Sequence, residues 1–191
     1  MDYPHIYIPE SEVPQASIAI FDHVVETYVS ETNKVAAIWA AVPVDRLDFR
    51  AHARSSSIRH IFVHQILSER RFFAEFIGFH EPAAEYLLPS GDPPGRDDYL
   101  KRYVTLARSR LPALAAADEE FWLGRVPFFD SLRQRIWVFW RRVLHTAHHR
   151  TQVADCLRLL DVAVPPTYGP TADVTWSGAD PTDTVDAAGR G

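Results

Sequence analysis

The chain has 191 residues, 47% of them hydrophobic and 24% charged, which are the proportions of a globular domain and exclude a disordered chain. A net charge of −5 offers no basic face for nucleic acid, and the single cysteine, Cys156, excludes an internal disulfide framework and any multi-cysteine zinc or iron–sulfur centre. No stretch reaches the ~18 uninterrupted apolar residues of a membrane span. The first residues lack the basic head and apolar stretch of a signal peptide, so a cytoplasmic chain with neither nucleic-acid nor membrane partners is expected.

Four long helical patterns follow one another between breaks marked by Pro and Gly. The first covers residues 15–42, where Ile18, Phe21, Val25, Tyr28, Thr32, Val35, Trp39 and Val42 alternate three and four apart and make one apolar seam. Pro14 suits its start and Pro43 closes it. The second covers residues 57–78, with Ser55, Ser56 and Ser57 as candidate N-caps and Gly78 as the stop. Residues 79–96, rich in Pro and Gly, form a long irregular connection. The third pattern covers residues 97–117 on a seam of Leu100, Tyr103, Val104, Ala107, Leu111 and Leu114. Pro112 inside it should kink or shorten the helix. Residues 118–130 read as a connection with one short extended piece. The fourth pattern covers residues 131–160 and ends before Pro165 and Pro166. The expected architecture is an all-α four-helix bundle over residues 1–166. An extended, partly disordered tail follows over residues 167–191, with Trp176 docking on the bundle. A connection of 18 residues can reach ~60 Å, longer than the ~33 Å of a 22-residue helix, so helices two and three can run parallel in an up-down-down-up order.

Nine histidines are the feature to follow. His60 and His64 stand four apart, as do His145 and His149, a small excess over chance. Residues four apart share a helix face, the geometry by which two imidazoles hold one metal. A third imidazole from a neighbouring helix would leave an open position, the catalytic pattern of zinc sites rather than the structural one. The plainer reading is that each histidine is solvated or makes a core hydrogen bond. Thr146 stands where a zincin motif needs its glutamate. Val138, Arg142, Gln152 and Cys156 share the His145/His149 face, whereas His148 points away. Cys156 lies ~10 Å along the axis from His149, too far to share a metal with both histidines, and reads as a packed thiol. On helix two, His60, His64, Ser68, Arg71 and Glu75 occupy the polar arc opposite Ile58, Phe62, Ile66 and Phe73. Glu69 and Arg150 fall inside apolar arcs. The expectation is that they pair across the bundle; the alternative is that each reaches solvent.

The run His145-Thr146-Ala147-His148-His149-Arg150-Thr151-Gln152, with Cys156-Leu157-Arg158-Leu159-Leu160 and Pro165-Pro166 after it, resembles the last helix of the DinB/YfiT-like superfamily of small helical metalloproteins. Residues 57–69 resemble the family's second helix, where a His precedes an acid by five residues, as His64 precedes Glu69. Thr151 and Asp161 depart from the family pattern, which has Gly at both positions. Asp161 should strain any left-handed C-cap. The resemblance implies an up-down-down-up bundle, often a homodimer, that carries a divalent metal ion, zinc or nickel, on His64, His145 and His149. His60 is the rival for the helix-two ligand.

Relatives of this kind transfer low-molecular-weight thiols, so the resemblance implies a metal-dependent thiol S-transferase acting on a small-molecule substrate with the thiol as co-substrate. Arg71 or Arg142 would hold a carboxylate. His148, His60 and Glu75 are candidate proton carriers of equal standing, and the catalytic residues stay open. The alternatives are a metal-dependent hydrolase, a metal- or ligand-binding bundle without turnover, and a closed site in a protein acting through dimer contacts. Trp137, Phe139 and Trp140 cover more than one face of helix four, which suits either a dimer interface or contact with helices one and three.

Overall fold

The computed structural model describes residues 6–91, 93–169 and 171–173, and the element order is mostly helical. Four long helices, α1 (Asp22–Ala41), α2 (Ile58–Arg71), α3 (Arg96–Ala116) and α5 (Arg135–Leu159), share one core. Helix α1 packs on α3 and α5, and α2 packs mainly on α5. The seams meet in a continuous aromatic layer. Trp39 stacks on Phe62 at 3.9 Å and tilts against Tyr103 at 4.8 Å, while Phe139 meets Tyr28, Phe73 and Trp122. Such pairs contribute about 0.5–1.5 kcal/mol each beyond the area they bury.

Helix α1 begins seven residues later than the apolar seam suggests. Residues 15–18 lie outside any helix, and a single 3-10 turn, Ala19–Phe21, leads into it. Ala16 N–H donates to Asp22 Oδ1, a local bond that holds the chain off the helix axis. Helix α2 starts where the serines indicate: Ser57 Oγ accepts from His60 N–H at 3.2 Å. It runs into a π-helical turn, Phe72–Ile77, and stops at Gly78 with φ 94°. The wider turn rotates Phe72, Phe73 and Phe76 relative to a straight helix.

Helix α3 continues through Pro112 to Ala116 and is not shortened. Residues 118–134 depart from the expected connection. They form a short helix, α4 (Glu119–Leu123), capped by Asp118, and a hairpin of β1 (Arg125–Phe128) and β2 (Ser131–Gln134) in antiparallel register from Arg125↔Gln134 to Phe128↔Ser131. Residues 131–134, expected as the first turn of the last helix, are therefore strand. The alternation of Val126 and Phe128 with exposed residues gives β1 its period of two.

Helix α5 ends with Asp161 in the left-handed region at φ 56°, with Val162 N–H returning to Leu157 O at 3.0 Å. That is the strained left-handed cap position expected of Asp161. The described part of the C-terminal segment turns back onto the helices. Asp173 pairs with Arg158 and accepts Val164 N–H, and Tyr168 O–H donates to Glu31 at 2.7 Å. The expected docking of Trp176 lies outside the described residues. Among the described residues no helix is long and apolar enough to cross a membrane.

Candidate metal centre

The Ser57 cap fixes the phase of α2, and packing of α2 on α5 brings two histidine-bearing faces together. His64, on α2, stands with its ring centroid 5.4 Å from that of His145 and 4.6 Å from that of His149, both on α5. One nitrogen from each ring falls within 4.8 Å of the others, so these three could hold one metal ion. The Nε2 atoms of His145 and His149 are 3.2 Å apart. Two imidazoles on one tetrahedral ion at the usual Zn–N length place their nitrogens about 3.3 Å apart. The donor set and this spacing fit a divalent cation.

Hydrogen bonds around the cluster fix where the protons sit. Arg142 Nη1 lies 2.8 Å from His145 Nδ1. A guanidinium only donates, so His145 Nδ1 accepts and Nε2 carries the proton of the neutral ring. That proton faces His149 Nε2, and His149 Nδ1–H in turn donates to Gln152 Oε1 at 2.7 Å. Gln152 is the kind of acceptor that orients a metal-ligating imidazole; a cation behind His145 is the opposite kind.

All three rings are half-buried and are held neutral. Burial, then the Arg142 charge, then the neighbouring imidazoles lower His145 to about 3. Burial followed by Arg142 and His60 lowers His64. Burial, with His64 and His148, lowers His149 against the raising bond from Gln152. A neutral imidazole keeps one lone pair for a metal; that of His149 is on Nε2, toward the cluster, whereas that of His145 is on Nδ1, toward Arg142.

Arg142 is itself buried. Besides His145 it reaches Glu69 Oε2, Gln65 O and Ser68 Oγ. Glu69 also accepts from Tyr28 O–H and Arg110 Nη1, each at 2.6 Å, and Arg110 forms a two-bond fork with Glu81. The expected pair of Glu69 with Arg150 does not form. Glu69 is taken by Arg110 and Arg142, and Arg150 pairs with Glu31 on α1. Both groups are buried and satisfied, with different partners. Arg110 and Glu31 carried a signal in the sequence: Arg110 is seven after Tyr103 and four before Leu114, and Glu31 is three after Tyr28, so both sit on their apolar seams.

Two clefts meet the cluster. One, about 440 Å³, opens onto His64 and His149 and is lined by His60, Ser55, Ser56, Gln152, Asp155 and Cys156. His60 thus lies beside the histidine cluster and is not one of its three members. Cys156 is buried, and that burial, with Asp155, raises its thiol above the ordinary value. The other cleft, about 520 Å³, meets His64 and His145 and is walled by Phe72, Phe76, Phe128 and Phe129 with Arg71 and Arg141. Arg142, locked beneath His145, is not free to hold a substrate carboxylate; Arg71 lines this second cleft. The hairpin wall and Arg141 were not anticipated, because the aromatic pair at 128–129 reads as loop until β1 and β2 pair. Trp140 stacks on His23 of α1 and Trp137 packs on Phe128, so each aromatic of that set has an intramolecular partner. A larger cleft, about 770 Å³, lies between α1 and the segment before it, and none of the described residues lining it is a histidine.

The DinB family model matches residues 15–177. Among solved structures the chain is similar to a DinB-like protein from Bacillus cereus, at 15% identity and a TM-score of 0.63, over 76% of this chain and 95% of that one. It is also similar to the DinB-like protein YjoA from Bacillus subtilis, at 17% identity and a TM-score of 0.59, over 76% and 96% of the two chains. At these identities the likeness is one of fold. No curated protein matches the sequence.

Proposed function

The chain belongs to the DinB family, and from that premise we propose that it is a divalent-metal protein, with zinc or nickel on His64, His145 and His149, that transfers a low-molecular-weight thiol to a small-molecule substrate. The observation that carries the reading is the convergence of three neutral imidazoles from two helices on a space one cation wide. When bound, the ion would supply a Lewis-acidic position at which a thiol ionises near neutral pH. The protein's own residues do the rest. Gln152 accepts from His149 Nδ1–H and leaves that ring's Nε2 lone pair for the ion; Arg142 at His145 Nδ1 does the reverse, so His145 Nε2 would take the ion only after Arg142 gives up that bond, and Phe72 stacks over the His145 ring at 6.1 Å. The polar cleft with His60, Ser55 and Ser56 suits the thiol, and His60 there is a candidate to carry its proton. The same reading takes the long helices as an up-down-down-up four-helix bundle and the protein as a homodimer.

The test is elemental analysis of the purified protein followed by thiol-conjugation assays with panels of thiols and electrophiles. About one zinc or nickel per chain and thiol-dependent turnover are expected. His149→Ala should abolish the metal and the turnover while the apolar seams keep the chain folded. Metal without turnover supports the binding-protein reading instead, and release of product without thiol supports a hydrolase. Loss of folding in His149→Ala would make the metal structural.

A further inference from the structure

The hairpin does something a connection between helices does not need. Its two-residue loop is Phe129-Asp130, and Phe129 has φ 52°. Positive φ at the first loop position belongs to turns that take glycine there. A phenylalanine in that backbone is strained, and the residue is 68% exposed. The strain and the exposure are both unfavourable, and the ring they present faces the second cleft. There Phe129 meets Phe76 at 5.3 Å and Phe128 at 4.8 Å.

The rim of the cleft is positive. Arg71 lies 5.5 Å from the Phe76 ring and 5.8 Å from the Phe129 ring, paired with Glu75 at 3.0 Å. Glu75 also serves Arg70 at 3.6 Å, so one carboxylate is shared by two guanidinium groups. Arg141, exposed on α5, has no carboxylate partner among the described residues. Aromatic walls with an uncompensated guanidinium complement an anion attached to an apolar body.

We propose that this cleft binds an aromatic carboxylate, its carboxylate on Arg141 and its ring among Phe76, Phe128 and Phe129. The proposal goes beyond the reading of the metal centre, and the binding stands on the cleft itself.

The probes are 4-phenylbutyrate, its neutral amide and butyrate, titrated calorimetrically into the full-length protein. Saturable binding of 4-phenylbutyrate is expected, about tenfold tighter than butyrate from burial of the ring and about fivefold tighter than the amide from the charge. Arg141→Ala should erase the preference for carboxylate over amide and leave the amide's affinity unchanged. Phe129→Gly should weaken both aromatic probes about fivefold while the melting temperature holds or rises, because glycine accepts the positive φ. His149→Ala should bind 4-phenylbutyrate as the unaltered protein does. That result shows that binding does not need the metal: failure of the metal reading leaves it standing, and its own failure leaves the metal reading standing. The proposal is overturned if 4-phenylbutyrate shows no saturable binding, if Arg141→Ala keeps the carboxylate preference, if Phe129→Gly binds as before, or if His149→Ala abolishes binding.

Discussion

Arg142 and Glu69 show how a buried charge is used twice in this molecule. Arg142 neutralises Glu69 on one side and sets the tautomer of His145 on the other, so the core network and the histidine cluster share a residue. Glu69 is 1% exposed and Arg142 2% exposed. Removing one member of a buried, hydrogen-bonded ion pair leaves the other charge without compensation and costs about 3–5 kcal/mol. Glu69→Ala is therefore expected to lower stability by about that amount in urea unfolding, with Arg110 and Arg142 both left facing apolar surroundings. A change below about 1 kcal/mol would mean the network relaxes to new partners. The sequence marked both ends of the supposed Glu69–Arg150 pair as buried, because periodicity reports which face a residue is on. It could not assign the partners, since each carboxylate chooses among guanidinium groups on other helices according to side-chain length and packing.

Helix α2 is delimited by two local devices. The Ser57 side chain caps the start, and Gly78 ends the π-turn in a left-handed conformation with open space around it. Ser57→Ala is expected to cost about 1 kcal/mol, because His60 N–H loses its acceptor. Gly78→Ala is expected to cost about 1–2 kcal/mol from the backbone alone, since an added methyl meets nothing within 4 Å. Chemical denaturation of the two variants measures both; a neutral Gly78→Ala would show that the turn relaxes to negative φ. These signals were legible in the sequence because caps act within four residues. The π-turn was not: Phe72, Phe73 and Phe76 serve an α-helix as well as a wider turn, and only packing against α5 and β1 selects the latter. The hairpin was missed for a similar reason. Residues 131–134 continue the polarity pattern of the last helix, and pairing with β1 captures them as strand instead.

Over the whole molecule, the buried acids set the response to pH. Burial alone would raise the Glu69 carboxyl, but Arg110, Arg142 and the Tyr28 hydroxyl hold it below its ordinary value; burial would likewise raise Glu31, and Lys34, Arg150 and Tyr168 hold it down. Both contributions to stability are present above the ordinary carboxyl pKa of about 4.3 and are lost as pH falls through the lowered folded values. The melting temperature is expected to hold on lowering the pH to about 5 and to fall below about 4; a flat profile down to pH 2 would contradict the assigned ion pairs. Glu31 also ties α1 to α5 through Arg150 and to the C-terminal segment through Tyr168, so acid should loosen all three together. The sequence by itself determined that there are four long helices, the caps of α2 and the helix faces carrying His64, His145 and His149, because periodicity and capping are local properties of the chain. Only the tertiary structure decided that those faces meet, that Glu69 turns to Arg110 and Arg142, and that a strained Phe129 walls a cleft beside the histidines. Those outcomes depend on how helices far apart in the chain pack, and no spacing of residues along one helix records its neighbour.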